Sequence, residues 1–508
     1  MGTTEKDAGA AADAPPSGSG IGRPAIRGSI WTMGGYAAAQ ALRLVSNLIL
    51  TRLLFPTVFG QMSLVFIFIQ GLQMFSDVGI GPAIVQSVRG EDARFLRTAW
   101  TVQAARGVVL WICSWLIAWP AASFYEQPIL AWLIPAAGFS AVLGGLESTS
   151  MHTLRRRLEL GRITLVELGS QATGTIATVL LAALYRWAVG PGDPRAAWAI
   201  VGGSLIGALA RTLLSHSALP GIPHRFHLDR EALGVLFGFG RWIFVSTLLT
   251  FFAGQSDRLV FGKMIPMDLF GVYGIAALLA TLPTQAVEKL GVAVVFPAYS
   301  RLAARGDLKD LFARVRLPLL LGAAAMVTGL VACGPFLVRI LYDARYEQAG
   351  WILQFLAVMA WFQILEATIG AALLAEGATR WVAASSAAKL VGMVTLLPLG
   401  FHLGGFPGAL AGLVLSEVLK YLAATVGLAR RGLRGIALDG LLTVAIALVS
   451  GAGLLAGHWV TARLPGKAPG FLASALVAGG VWAAIGLWYL RRERAAGAAA
   501  PWARATHP

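Results

Sequence analysis

Runs of about 20 predominantly apolar residues recur along this chain, and that is the length an α-helix needs to cross the hydrocarbon of a bilayer. Fourteen such runs are visible, at about 29–50, 58–80, 98–118, 127–148, 163–185, 197–217, 232–253, 269–290, 318–340, 350–373, 381–401, 407–428, 438–459 and 468–490. A soluble core offers no place for so many. Only 13% of the 508 residues are charged and 57% are hydrophobic, where soluble domains carry about a quarter charged residues. Sixty glycines and sixteen tryptophans suit closely packed membrane helices and indole anchoring at headgroup level. The expected fold is an all-α polytopic membrane protein. An even number of runs puts both termini on one side, and the short connections leave no room for a soluble catalytic domain.

The apolar pattern also divides the chain. Residues 1–28, rich in Ala, Gly, Pro and Ser, cannot build a core and read as a disordered tail. The blocks 29–217 and 232–428 each hold six runs, 438–490 adds two more, and 491–508 forms a second tail. Ser46 to Gly60 reads SNLILTRLLFPTVFG and Ser256 to Gly271 reads SDRLVFGKMIPMDLFG. In each, a polar start and an apolar stretch lead to Pro and then Phe-Gly, just after the first run of a block. An even block length makes the two copies parallel, a transporter architecture of two six-helix lobes with a site between them. Dense basic tracts, Arg155–Arg157, Arg301 to Arg316 and Arg491–Arg494, fall on one side of this plan. Basic loops stay in the cytoplasm, which places both termini there, with the chain in the plasma (cell inner) membrane.

The net charge of +16 is spread over short clusters between apolar runs, so anionic lipid headgroups rather than nucleic acid are the expected partner. Cys113 and Cys333, the only cysteines, both sit in apolar runs and read as buried small hydrophobes. His224 and His227 share a loop without acidic or thiol ligands at metal spacing, and no phosphate-binding GxxxxGK[ST] loop occurs. No cofactor or metal is expected.

Leu50 to Ser87, LTRLLFPTVFGQMSLVFIFIQGLQMFSDVGIGPAIVQS, resembles the N-terminal signature of Wzx-type polysaccharide transporters, within the superfamily that also holds multidrug exporters and lipid II flippases. The echo at Asp257–Gly271 and the fourteen-run plan are similar to it too. The resemblance implies a flippase for undecaprenyl-diphosphate-linked oligosaccharide, working by alternating access of two lobes and serving surface polysaccharide synthesis alongside a polymerase.

Charges inside the runs mark candidate sites, because an Arg or Lys at a helix centre costs about 2.5–3.5 kcal/mol on insertion scales and is placed where water or a partner can reach it. Arg43, Arg106, Arg241 and Lys389 lie nearest mid-run, two per block, and are the candidates for a shared cavity holding the diphosphate. Arg339 and Lys289 lie at run ends and can snorkel. Lys420 has Glu417 three residues before it on the same helical face, an expected ion pair, and Arg211 is expected to pair within its own block. Glu366 and Glu417 are the deep acids and the candidates for coupling to H+ or Na+, with a structural salt bridge as the alternative role. A cation-coupled drug exporter and, less favoured, a membrane polysaccharide polymerase are the competing functions. The exporter calls for a cavity dominated by acids and aromatics, and the enzyme for acid–base or metal groups at a membrane surface. Neither pattern is evident, so no enzymatic activity is expected.

Overall fold

The computed structural model describes residues 22–495 apart from 77–78, 88, 191, 221–224, 434 and 465. Every regular element among them is helical. In chain order these are α1 (Gly22–Leu53), α2 (Pro56–Phe75), α3 (Ile80–Gln86), α4 (Ala93–Phe124), α5 (Leu130–Gly145), α6 (Ser150–Arg156), α7 (Leu160–Val189), α8 (Ala197–Ser217), α9 (Arg230–Met264), α10 (Met267–Leu290), α11 (Phe296–Arg305), α12 (Leu308–Leu341), α13 (Ala349–Ala375), α14 (Thr379–Arg430), α15 (Ile436–Thr461) and α16 (Ala468–Ala495). Each of the fourteen expected runs overlaps a helix. Among the described residues ten helices are long and apolar enough to cross a membrane, and α5 with α6, bent by 59°, would make an eleventh span. Large apolar side chains face outward at every level, Trp187 being 84% exposed. Only lipid covers so much apolar surface at low cost, and the chain is a multi-pass membrane protein.

Three elements differ from the sequence expectation. Helix α1 begins at Gly22 and α16 reaches Ala495, so helix takes in residues 22–28 of the first expected tail and 491–495 of the second; residues 1–21 and 496–508 lie outside the described residues. Helix α9 continues through Met264 rather than stopping near 253. Its polar residues are satisfied in place, with Asp257 accepting the Tyr273 hydroxyl and Gln255 donating to Gln70. Runs 11 and 12 lie on the continuous α14, which folds back at Gly404–Gly405. There Gly405 takes φ 59°, ψ −146°, a conformation open to glycine and strained for other residues. The two legs are antiparallel and so close that a Cβ on Gly408 would lie 2.1 Å from the Gly400 carbonyl oxygen.

Helices α1, α4, α5, α7 and α8 pack mainly with one another and α2, and α10, α12, α13 and α14 form a second group to which α15 and α16 attach through α12. Helices α2 and α10, each launched by the proline of one repeat copy, join the groups. Arg316, expected in an exposed basic tract, instead lies at 0% exposure inside the second group. Its guanidinium donates to Asp439 (2.6 Å), Thr368 (2.7 Å) and the Leu365 carbonyl (2.9 Å), while Tyr421 donates to the other Asp439 oxygen (3.0 Å). Every polar arm of this buried ion pair has a partner, which is what makes its burial tolerable. It ties α15 to α12, α13 and α14.

Candidate functional site

A cavity of about 1160 Å³ lies among α1, α2, α4, α5, α7 and α8, with Leu278 of α10 on its margin. Its wall is polar well inside the apolar bundle: Arg43, Ser46, Asn47, Ser63, Gln103, Arg106, Gln171, Thr175 and Arg211 all contribute. Small residues make the room, since Gly107, Gly145, Gly174 and Gly207 line it while pressing helix against helix. The Cα atom of Gly207 lies 3.0 Å from a would-be Cβ on Gly174.

The arginines of the cavity differ in what already holds them. Arg106 donates to the Ser76 hydroxyl (2.9 Å) and the Gln73 carbonyl (2.7 Å), which caps the C-terminal end of α2. Arg211 lies 3.0 Å from Glu147, and Arg155 pairs with Glu167 at 3.0 Å. Glu147 is thus the partner of Arg211 that sequence could not name. Arg43, exposed to the cavity, has no ion pair or hydrogen bond among the described residues. It belongs to a polar stripe on α1, Tyr36, Gln40, Arg43 and Asn47, whose 4-3-4 spacing keeps all four on one helical face. Tyr36 and Gln40 both donate to Gln285 Oε1 of α10 (2.7 and 2.6 Å), and Asn47 accepts from Tyr342 at the end of α12 (2.9 Å). Beyond the stripe, Arg345 donates to the Thr51 and Leu54 carbonyls (2.9 and 3.3 Å) that close α1. The second group therefore grips α1 on both sides of Arg43.

Of the four cations expected to share a cavity, the structure brings Arg43 and Arg106 onto one wall. The side chain of Arg241, on α9, lies outside the described residues. Lys389 stands away from the cavity, 9% exposed, with its ammonium on the Glu417 carboxylate. That pair replaces the expected Glu417–Lys420 contact. Lys420 instead reaches Glu366 of α13 (2.7 Å), Gln363 donates to Glu417 (2.9 Å), and Ser385 donates to Glu366 (3.2 Å). The reason is burial. A same-helix pair three residues apart contributes only about 0.2–0.5 kcal/mol, whereas charges enclosed between packed helices must be neutralised across the contact. Arg339 at a helix end pairs with Glu347 at the surface. Lys289, also at a helix end, lies over the Tyr36 ring.

At the ends of the helices the ionisable groups behave as exposed pairs do. Arg89 holds the Asp92 carboxyl below its ordinary value, and Arg157 does the same to Glu91. His227 donates its backbone N–H to Thr101 (3.0 Å); His224 lies outside the described residues.

This arrangement, a two-group helical bundle whose large cavity and its arginines lie inside the first group rather than between the two lobes as the sequence suggested, is that of a membrane transporter. The structure is similar over 92% of its length to the lipid II flippase MurJ in an inward closed conformation (99% of that chain, TM-score 0.68, 15% identity). It is less similar to an inward-facing multidrug resistance transporter of the MATE family in the MOP superfamily (80% of this chain, 95% of that chain, TM-score 0.56, 16% identity). The chain belongs to the polysaccharide biosynthesis protein family, whose profile matches residues 49–350. Among its relatives, WzxC of Escherichia coli K12, a lipopolysaccharide biosynthesis protein, is 22% identical over 78% of this chain and 79% of its own length. ExoT of Rhizobium meliloti strain 1021, a succinoglycan biosynthesis transport protein, is 23% identical over 65% of this chain, which spans 64% of ExoT. ExoT, MurJ and the MATE protein are each named as transporters or flippases, not as enzymes.

Proposed function

We propose that this protein is a flippase that carries undecaprenyl-diphosphate-linked oligosaccharide from the cytoplasmic to the outer leaflet of the plasma membrane by alternating access, for surface polysaccharide synthesis. The observation that carries the reading is the pair Arg43 and Arg106 on the wall of a cavity large enough for several sugars, in a chain of this family. Phosphate oxygens are strong acceptors for charge-assisted hydrogen bonds. Arg43 has donors to spare, and Arg106 lines the same cavity. The acids of the cavity, Glu147 and Glu167, each face an arginine, which counts against the exporter of cationic drugs as the alternative. Fourteen crossings with both ends cytoplasmic, and two lobes at 29–217 and 232–428, complete the proposal.

Coupling is assigned to Glu366 and Glu417. Both are buried beside lysines, and Glu417 Oε2 has no partner among the described residues. A proton is the ion such pairs can exchange without new ligands; Na+ would need a shell of oxygens. In proteoliposomes holding the purified protein, a labelled undecaprenyl-diphosphate oligosaccharide placed in one leaflet should appear in the other chemically unchanged. Failure to move it, with transport of a cationic dye instead, would replace this reading by the exporter.

A further inference from the structure

We infer that the α12–α14 end of the second helix group carries a binding site for an anionic phospholipid headgroup, built around Trp381 and separate from the transport cavity. The two legs of α14 run antiparallel, so Thr379 at its start and Arg430 at its finish return to one face of the bundle. The Trp381 ring lies under two guanidiniums, Arg380 at 5.8 Å and Arg430 at 5.2 Å from its centre. Its edge presses on Gly427, where a Cβ would come within 2.6 Å of the ring. Arg431 follows in the chain, and the Lys309 ammonium, from the start of α12, comes within 3.9 Å of where a Cβ on Gly432 would lie. None of the Lys309, Arg380, Arg430 and Arg431 side chains has an ion pair or hydrogen bond among the described residues, and the indole N–H of Trp381 is buried without a partner.

Two guanidiniums over one indole, with Arg431 next in the chain and Lys309 close to Gly432, concentrate positive charge that an anion can neutralise. Their position selects the anion. Trp381 lies in the first turn of one membrane span and Arg430 in the last turn of the next, which is the level of the headgroups, where tryptophan concentrates and each Lys or Arg draws anionic lipid with about 1 kcal/mol. Other Trp–Arg contacts occur at helix ends, such as Arg463 over Trp459 at the opposite end of α15, but there one cation meets one ring. The ligand class is a phosphate-bearing anionic phospholipid such as phosphatidylglycerol. Arg380, Trp381, Arg430 and Arg431 lie beyond residues 49–350, which carry the family match, and the site does not depend on what the cavity transports.

The test is native mass spectrometry of the full-length protein released from nanodiscs of equal phosphatidylglycerol and phosphatidylcholine, alongside thermal unfolding in detergent with each lipid added. The expected result is preferential retention of phosphatidylglycerol and a raised unfolding temperature with it, both reduced by Arg380→Gln with Arg430→Gln. Losing two cations should weaken retention about tenfold or more. Arg463→Gln should change neither. Both altered arginines are exposed and free of ion pairs, so the variant folds; Trp381→Phe, which keeps the packing but loses the indole N–H, provides a second, milder reduction. Equal retention of the two lipids, or undiminished retention in the double variant, would overturn the inference. So would an equal stabilisation by inorganic phosphate, which would mean that the patch binds any phosphate anion rather than a lipid.

Discussion

Gly271 at the start of α10 lies against Pro56 at the start of α2 so closely that a Cβ on it would come within 1.9 Å of the Pro56 carbonyl oxygen. Gly60 faces Met267 in the same way, its Cβ position 2.2 Å from the Met267 carbonyl oxygen. The two Phe-Gly repeats thus interlock reciprocally, each glycine seated on the first turn launched by the other copy's proline. Backbone cannot yield to a methyl group here. Gly271→Ala should force the helices apart and lower stability by about 1–3 kcal/mol, the range for an overfilled contact. Gly254→Ala, in a helix with open space around it, should be neutral. Thermal unfolding of the two variants in detergent checks this, and an unchanged Gly271→Ala midpoint would contradict it.

The buried charges of the second group make a second test. Lys389→Met leaves Glu417, 1% exposed, without its cation, and removing one partner of a buried pair costs about 3–5 kcal/mol. The paired change Lys389→Met with Glu417→Leu removes both charges and should recover most of that loss. The comparison is the yield of monodisperse protein and its unfolding midpoint. A double variant no better than the single one would mean that the pair is not the source of the effect.

The membrane-spanning plan was legible in the sequence because the bilayer imposes one length on every span, so run length alone locates the helices. The turn at Gly404–Gly405 was legible for a related reason, since the apolar pattern breaks there at paired glycines with Pro407 following. Partner choice among the charges was not. Whether Glu417 meets Lys420 or Lys389 depends on how two legs of α14 cross, and spacing along one helix carries no information about that. Glu147 lies at the end of the 127–148 run, where a solvated role is the ordinary expectation, yet the bend between α5 and α6 turns it into the cavity wall. The stripe Tyr36, Gln40, Arg43 and Asn47 carried a signal that was available: polar residues at 4-3-4 spacing in an apolar helix mark a wet or partnered face. Only the fold could assign its partners, Gln285 and Tyr342, which lie far away in the chain.

Orientation can be tested directly. In a protein lacking Cys113 and Cys333, a single cysteine at Gly192, between α7 and α8, should react with a membrane-impermeant maleimide added to intact cells. A cysteine at Arg431, after α14, should react only once the membrane is opened. The reverse pattern would invert the topology.

Acid should leave the grip on the end of α1 intact until well below neutral pH. Arg345, which donates to the Thr51 and Leu54 carbonyls, also pairs with Asp343 and holds that carboxyl below its ordinary value. A depressed carboxylate contributes its stabilisation above the unfolded value of about 3.9, and loses it as pH falls through the lower folded value. The difference in unfolding midpoint between the native chain and Asp343→Asn should therefore be constant from pH 8 to about 5 and shrink only at about pH 4 and below. It should be small, since a half-exposed ion pair contributes about 0.2–1 kcal/mol. A difference that vanished between pH 7 and 6 would point to another titrating group.

The sharpest test of function compares three arginines. Arg43 has no competing partner among the described residues, so a diphosphate bound there gains charge-assisted hydrogen bonds without breaking an ion pair, each contributing about 1.5–3 kcal/mol. Arg43→Gln keeps a polar side chain of similar reach and loses the charge, and should weaken binding of the lipid diphosphate by about ten- to a hundredfold on that scale. Arg106→Gln should do less to affinity at the cavity and more to stability, because Arg106 also caps α2 through Gln73 and Ser76. Arg339→Gln breaks only a surface pair with Glu347 and should leave transport within about twofold, as exposed pairs contribute little. Leaflet translocation of the labelled lipid, measured beside unfolding midpoints for all three, separates loss of binding from loss of fold. Full transport by a well-folded Arg43→Gln protein would remove the diphosphate from this cavity.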